Sequence, residues 1–179
     1  MAQRQIGLSA GEPPTTKGYP PSVFTLLPKL LERGGAGDGA GTITSVNTVL
    51  VEGDDMNDPI GDTVRSIVDG HIVLSRRLVG YGHYTPVDVI ESLSRTMPST
   101  TTAGHMSAMA AIRQVLATYQ ENEEMIRLGA YKKGSDPAID RAIELKPRID
   151  TFLRQNKDEF TPFDETIQVL SVLGEQSRT

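Results

Sequence analysis

Apolar positions run along this chain in two rhythms, and the change between them falls near residue 100. Ile6 and Leu8 lie in a short helical stretch that Gly11 ends, and GEPPTTKGYPP (11–21) is a loop, since four prolines in eleven residues forbid regular hydrogen bonding. Val23, Leu26, Leu27, Leu30 and Leu31 then recur at helical spacing until the glycines after Arg33. GTITSVNTVLVE (41–52) is β-branched and ends on a continuous apolar run, which predicts a strand buried on both faces. The next helix is predicted over about 59–69, with Asp58 as N-cap and Pro59 at its first position. HIVLS (71–75) predicts a second short buried strand, followed by a short helix through Arg76, Arg77 and Leu78. Strand, helix, strand is an α/β layout with a parallel sheet. Beyond Thr102 no strand is evident. Met109, Ile112, Leu116 and Tyr119 share one helix face, as do Ile139, Ala142 and Ile143, then Ile149, Phe152 and Leu153, and finally Ile167, Leu170 and Val172. The pattern predicts an all-helical second unit.

Composition narrows the function classes. A chain of 179 residues with 37% hydrophobic content holds one domain, or part of a larger domain plus a small one. Its net charge of −5 argues against a protein that coats nucleic acid. Without cysteine there is no disulfide framework and no thiolate zinc site, as suits the cytosol. The apolar runs are too short to span a bilayer, and the N-terminus lacks the apolar core of a signal peptide, so the chain reads as soluble.

Candidate chemistry is sparse when read residue by residue. ERGGAGDGAGT (32–42) is glycine-rich, but a phosphate loop needs G-x-x-x-x-G-K-[ST] between a strand and a helix, and this segment has no such lysine and runs from helix into strand; it reads as a surface connection. The acidic turn Glu52, Asp54, Asp55, Asn57, Asp58 does not match a calcium loop in any register. Two readings of it stay open: solvated acids around a helix cap, or acids recognised by basic groups on a partner. The histidines at 71, 83 and 105 have no ligand-spaced neighbours and read as structural, and no metal site is expected. There is no Gly-x-Ser-x-Gly elbow. HYTPVDVIESLSRTM (83–97) places Arg95 behind a run of small hydroxyl residues, where it either pairs with Asp88 or Glu91 or serves a site beyond its own strand. Residue chemistry alone gives an α/β part plus a helical unit with an incomplete active site.

Taken together, MAQRQIGLSAGEPPTTKGYPPSVFTLLPKLLERGG, GTITSVNTVLVEGDDMNDPIGDTVRSIVDGHIVLSRRL, GHYTPVDVIESLSR and IRLGAYKKGSDPAIDRAIELKPRIDTFLRQ resemble, in one colinear order, the C-terminal part of the flagellar and type III secretion export ATPases, relatives of the rotary ATP synthase catalytic subunit. The resemblance implies a partial RecA-like P-loop nucleotide domain with parallel strands and no phosphate loop of its own, over about 1–102, then an all-α C-terminal domain over about 103–179. In that family the phosphate loop, catalytic glutamate and metal-orienting aspartate lie upstream of the position matching Met1, so the chain resembles a fragment that is inactive alone. The parent would hydrolyse ATP with Mg²⁺ in a homohexameric ring to energise export.

The same resemblance assigns roles to particular residues. Val87, Asp88, Ser92, Ser94 and Arg95 match the family's signature before the arginine that reaches the neighbouring subunit's ATP, while Thr85 replaces the usual proline and Pro86 takes the small-residue slot. A guanidinium suits that task because it is always charged and its planar fork holds two oxygens of a phosphoryl transition state. Tyr84 matches the aromatic that stacks on adenine. The turn from Gly53 to Pro59, with Asp54, Asp55 and Asp58, matches the loop that touches a coiled-coil central stalk. Regulatory subunit, export gate and chaperone–substrate complexes are the other implied partners, at the inner face of the bacterial cytoplasmic membrane. Two alternatives stand beside this reading: a non-catalytic helical module for substrates, chaperones or regulators, and a fragment of a rotary synthase subunit. GEPPTTKGYPP and GAYKKGSDP favour the export branch, since the synthase branch is conspicuously acidic where GAYKKGSDP stands.

Overall fold

Proline, glycine and short polar side chains decide where each element of this chain begins and ends. A computed structural model describes residues 1–51, 53, 55 and 57–178, which form two units, residues 1–69 and residues from 70 onward. The first unit is a small helical layer: α1 (Ala2–Ser9) packs on α2 (Pro21–Leu31), and α2 packs on α3 (Pro59–Ile67). The approach of α1 to the start of α2 requires Gly7, because a Cβ there would lie 2.7 Å from the Pro20 ring. Pro21 starts α2, where its missing N–H is no loss. Asp58 caps α3 as expected, its Oδ2 accepting from the Ile60 amide at 3.0 Å.

The glycine-rich segment is a small antiparallel ladder, β1 (Gly35–Ala36) with β2 (Thr42–Ile43), in register Gly35 with Ile43 and Ala36 with Thr42. This corrects the long buried strand expected over 41–52. Among the described residues there, only Thr42–Ile43 has strand geometry, and Val46 and Leu50 are 92% and 91% exposed. A continuous apolar run reads as a buried strand only where neighbours cover both faces, and no described residues do so here.

The second unit opens with β3 (Gly70–Leu74), α4 (Arg76–Gly80) and β4 (Val87–Ser94). The parallel pairing expected between the run 41–52 and HIVLS is not found among the described residues: β3 pairs antiparallel with β4, and the strand piece Thr42–Ile43 pairs antiparallel with β1. Ile72 and Leu74, expected to be buried, are largely exposed, while His71 and Val73 face inward.

A short turn of helix, α5 (Met97–Thr100), leads to α6 (Ala103–Arg127), α7 (Pro137–Leu153) and α8 (Phe163–Arg178). Thr102 caps α6 through the His105 amide at 3.2 Å, and Gly129, at φ +68°, takes the left-handed position after its end. Asp136 caps α7, receiving the Ala138 amide at 2.7 Å, with Pro137 behind it. The faces read from the sequence contribute Ile112, Leu116, Ala142 and Ile149 to one core, which Val115, Leu145 and Leu173, outside the expected faces, complete. On α8 the buried position is Leu173 rather than the expected Val172, which is 52% exposed. The reason is close packing: Gly174 meets α6 so tightly that a Cβ would lie 2.5 Å from Ala108 Cα, and that contact sets the rotation of α8.

Candidate functional site

β4 is not a plain strand. Its register with β3 runs Leu74–Val87 and Val73–Asp88, then His71–Leu93 and Gly70–Ser94, so Ile72 alone stands opposite residues 89–92. A bulge of this kind removes backbone groups from the ladder, and each must find another partner or carry a desolvation cost. Here they do. The Asp88 carbonyl accepts from Ser92 Oγ at 2.5 Å, and the Glu91 carbonyl from His71 Nε2 at 3.0 Å. Arg113, reaching across from α6, donates Nη2 to the Ile90 carbonyl at 2.7 Å and Nη1 to the carbonyls of Ser92, at 3.0 Å, and Val89. The amides of Ile90 and Glu91 donate to Asp88 Oδ1 at 3.0 and 3.1 Å, and the Val73 amide donates to Ser92 Oγ at 3.0 Å. The ladder resumes for Leu93 and Ser94, and Arg95 comes at once after them, exposed, in the bend before α5.

Tyr84 stands at the other end of β4, 55% exposed, with its carbonyl accepting from the Gln155 amide at 2.7 Å just past the end of α7. The structure therefore sets Tyr84 and Arg95 at opposite ends of one strand and does not bring them together. Beside Tyr84, His83 is only 5% exposed and its backbone N–H donates to the Leu78 carbonyl at 2.9 Å. Its Nε2 is buried with no hydrogen-bond partner among the described residues. Burial pushes the imidazole below its ordinary value of 6.5; Asp150 opposes this, and Arg154 and Lys146 reinforce it. His83, Arg77, Tyr81, Asp88, Lys146 and Asp150 are among the residues lining a cavity of about 110 Å³.

The acidic turn belongs to the first unit, and Asp54 lies outside the described residues. Asp55 and Asp58 are gathered by one lysine that the sequence pattern did not flag. Lys17 Nζ is 2.8 Å from Asp55 Oδ2 and 3.4 Å from Asp58 Oδ1. Lys17 adopts φ 51°, a left-handed conformation uncommon for a side chain of its size, within the turn Thr16–Gly18. The hydrogen bond to Asp55 raises the lysine, while the same bond and the Asn57 amide lower the Asp55 carboxyl. Among the described residues no three acidic or histidine side chains gather closely enough to hold a metal ion, and no helix is long and apolar enough to cross a membrane.

Of the residues missed by sequence reasoning, Arg113 left a trace in it. Arg113 is the one charged residue in HMSAMAAIRQVLATY, next to the core position Ile112, and a cation so placed needs an acceptor on the element it faces. His71 reads as structural in the sequence, and the structure gives that reading its content: its ring sits at an inward position of β3 and bonds the Glu91 carbonyl. Lys17 carries no comparable signal, because its partners lie some forty residues away.

Comparison with known proteins places these elements. Residues 1–94 match the family model described as the ATP synthase alpha/beta family, nucleotide-binding domain, and residues 101–171 match that of the T3SS EscN ATPase C-terminal domain. A flagellum-specific ATP synthase of Bacillus subtilis (strain 168) is 54% identical over 97% of this chain and 39% of its own length. The assembled ATPase EscN of the enteropathogenic E. coli type III secretion system superposes with a TM-score of 0.91 at 44% identity, over 97% of this chain and 42% of that one. EscN in complex with its central stalk EscO gives 0.82 at 42% identity, over 97% and 41% respectively. The chain thus spans about two fifths of the length of these relatives. A nucleotide-domain portion followed by a helical domain is the fold the resemblance implied, now with antiparallel ladders described within it. By sequence and by structure, the chain belongs to the ATP synthase alpha/beta family, in the branch of the flagellar and type III secretion ATPases, and carries the C-terminal-type part of it.

Proposed function

We propose that this chain is the C-terminal part of an ATPase that hydrolyses ATP in a homohexameric ring and so energises flagellar or type III protein export, with each active site between two subunits. The division into a nucleotide-domain portion over about 1–102 and a helical domain over about 103–179 accords with the extents of the two family matches. Arg95 acts in trans on the neighbouring subunit's ATP. Tyr84 stacks on the adenine of its own subunit's nucleotide. Their placement at opposite ends of β4 supports that division of labour, since one strand then serves two adjacent sites. The observation that carries the reading is Arg95 itself, an exposed guanidinium leaving a strand end whose preceding backbone is bonded group by group.

The residues present fit an adenine ring and one phosphoryl oxygen pair, through the exposed Tyr84 ring and Arg95, and no more of the ligand. The sequence has no G-x-x-x-x-G-K-[ST] cradle, so the phosphates and Mg²⁺ fall to parts of the parent outside this segment. Mg²⁺ supplies neutralisation of developing phosphate charge when bound. Residues 1–179 alone then bind no nucleotide tightly and release no phosphate above a buffer blank. Asp54, Asp55 and Asp58 form the contact for a basic coiled-coil stalk, a reading supported by the EscN–EscO complex among the structural relatives. The regulatory subunit, export gate and chaperone–substrate complexes are the proposed further partners, and the inner face of the cytoplasmic membrane the proposed location. The deciding experiment is Arg95→Ala in the assembled full-length enzyme: kcat falls by about 10³ or more while nucleotide binding is kept, because a finger acts on the transition state. Wild-type turnover in an assembled ring would remove Arg95 from the mechanism.

A further inference from the structure

The bulge before Arg95 raises a mechanical question. A guanidinium that stabilises a transition state must be held to within about half an ångström, yet Arg95 leaves a strand whose ladder has just been interrupted over residues 89–92. Such a bulge re-aims the residues beyond it only if the looped backbone is rigid. Most of that rigidity comes from one side chain on another element. Arg113 of α6 bonds three of the four carbonyls in the bulge, at Val89, Ile90 and Ser92, and no other donor is described for these three. His71 takes the fourth, at Glu91.

We infer that Arg113 is a positioning residue for Arg95: its fork bonds the carbonyls of Val89, Ile90 and Ser92, fixing the β4 bulge against α6 and so setting where the chain resumes at Leu93 and projects Arg95 toward the neighbouring subunit. The inference rests on the trans-acting reading of Arg95. A planar fork with five donors spans several carbonyls at once, whereas an ammonium is a compact point charge, so lysine does not reproduce the hold. Because Arg113 touches the bulge and not the nucleotide, its removal lowers transition-state stabilisation and leaves ground-state binding alone. Arg113 also ties the strand to α6, the helix at the centre of the core, so a displacement of α6 is passed to Arg95 through three hydrogen bonds.

The test uses the full-length enzyme assembled as a ring, with Arg113→Met and Arg113→Lys beside Arg95→Ala. Arg113→Met is expected to lower kcat about tenfold to a hundredfold with the KM for ATP within about twofold of wild type, and Arg113→Lys recovers only part of the loss. A second readout is binding of Mg²⁺·ADP·aluminium fluoride, which mimics the transferring phosphoryl group: its affinity drops by the same factor as kcat, while ADP affinity does not change. The double variant Arg95→Ala/Arg113→Met shows no further loss of analogue affinity beyond Arg95→Ala. Wild-type kcat, an equal loss of ADP and analogue binding, or an additive double variant would each overturn the positioning role. If Arg95→Ala keeps wild-type turnover, it is the trans-acting reading that fails, and the two failures are told apart. Should Arg113→Met not assemble, Arg113→Lys carries the test: a kcat lowered at unchanged KM and ADP affinity supports the inference, and an unchanged kcat overturns it.

Discussion

The bulge before Arg95 and the acidic turn before Pro59 are both irregular segments that a family resemblance marks as functional, yet they are built by opposite means. In the bulge, each carbonyl from Asp88 to Ser92 is bonded, with partners drawn from β3, from β4 itself and from α6. In the turn, Asp55 and Asp58 share an exposed lysine, and the described bonds into regular structure run from Asp58 to the first turn of α3, at the Ile60 and Asp62 amides. A group that stabilises a transition state gains nothing from adjustability, because its effect depends on geometry fixed before the reaction. A surface that meets a turning or exchanging partner has the opposite requirement, and weak, solvated ion pairs can be swapped for intermolecular ones at little cost. On the proposed roles, the contrast is one of rigidity matched to task.

The sharpest way to break that contrast is Asp88→Ala. It strands the Ile90 and Glu91 amides in a half-buried segment, and two unsatisfied donors cost about 1–3 kcal/mol each where water does not replace the carboxylate. Thermal unfolding of residues 1–179 monitored by circular dichroism should show the loss, and Asp88→Asn, which keeps an oxygen at that place, should restore most of it. If Asp88→Ala is as stable as wild type, the bulge is not a rigid element. Asp58→Ala tests the other side. Losing the cap on α3 should cost about 0.5–2 kcal/mol and should leave kcat of the assembled parent unchanged, since the turn lies apart from the finger strand in sequence and unit.

A third test separates burial from hydrogen bonding near Tyr84. His83 is held below 6.5 by burial, so between its folded value and 6.5 the unfolded chain binds a proton that the folded chain refuses. Stability contributed by the neutral ring is present above 6.5 and is lost as pH falls through that value, with Asp150 softening the loss and Arg154 and Lys146 deepening it. His83→Gln cannot titrate, so the difference in melting temperature between wild type and variant should narrow as pH falls from about 7.5 toward 5.5. A difference that stays constant across that range would mean that His83 is not neutral and buried in solution.

Elements with local causes were legible in the sequence. Asp58 with Pro59 announced α3, and Asp136 with Pro137 makes the corresponding start of α7, because a cap and its proline are contiguous. The core faces of α6 and α7 came from spacing alone, since helix periodicity survives whatever packs on it. The features that failed depended on distant partners. The run 44–51 reads as a strand by composition, but strand geometry is conferred by neighbours, and none is described for it. Val172 and Leu173 exchange places because the contact of Gly174 with Ala108 sets the rotation of α8, and one glycine among seventeen does not announce that. At the candidate site, the motif made Asp88, Ser92, Ser94 and Arg95 visible as a set, but not their reason. Asp88 and Ser92 are the internal struts of a bulge, and the remaining struts lie outside any local window: His71 on β3, and Arg113 on a helix eighteen residues beyond Arg95.

The smallest expected effect is at Lys17, and its smallness is the point. Lys17 and Asp55 are both well exposed, so their bond is screened and adds little to stability, and Lys17→Met should leave the melting temperature of residues 1–179 nearly unmoved. Binding should respond instead. With Lys17 present, a basic partner must displace an internal cation before it reaches Asp55; with methionine there, the exposed Asp55 carboxylate is offered directly, while Asp58 stays buried as the cap of α3. Lys17→Met should therefore tighten association of the full-length enzyme with a basic coiled-coil stalk about threefold to tenfold at about 50 mM salt, and the gain should fade by about 500 mM as screening shortens to a few ångströms. Asp54→Asn/Asp55→Asn should move affinity the other way. Glu121→Gln/Glu123→Gln on α6 removes the same charge elsewhere, together with the exposed Arg77–Glu123 ion pair, and is the control for net charge. An equal loss in the two double variants, with no gain from Lys17→Met, would return the turn to the plainer of its two readings, a solvated entrance to a helix. A gain confined to Lys17→Met and a loss confined to Asp54 and Asp55 would instead make the lysine a competitor for the stalk's own site.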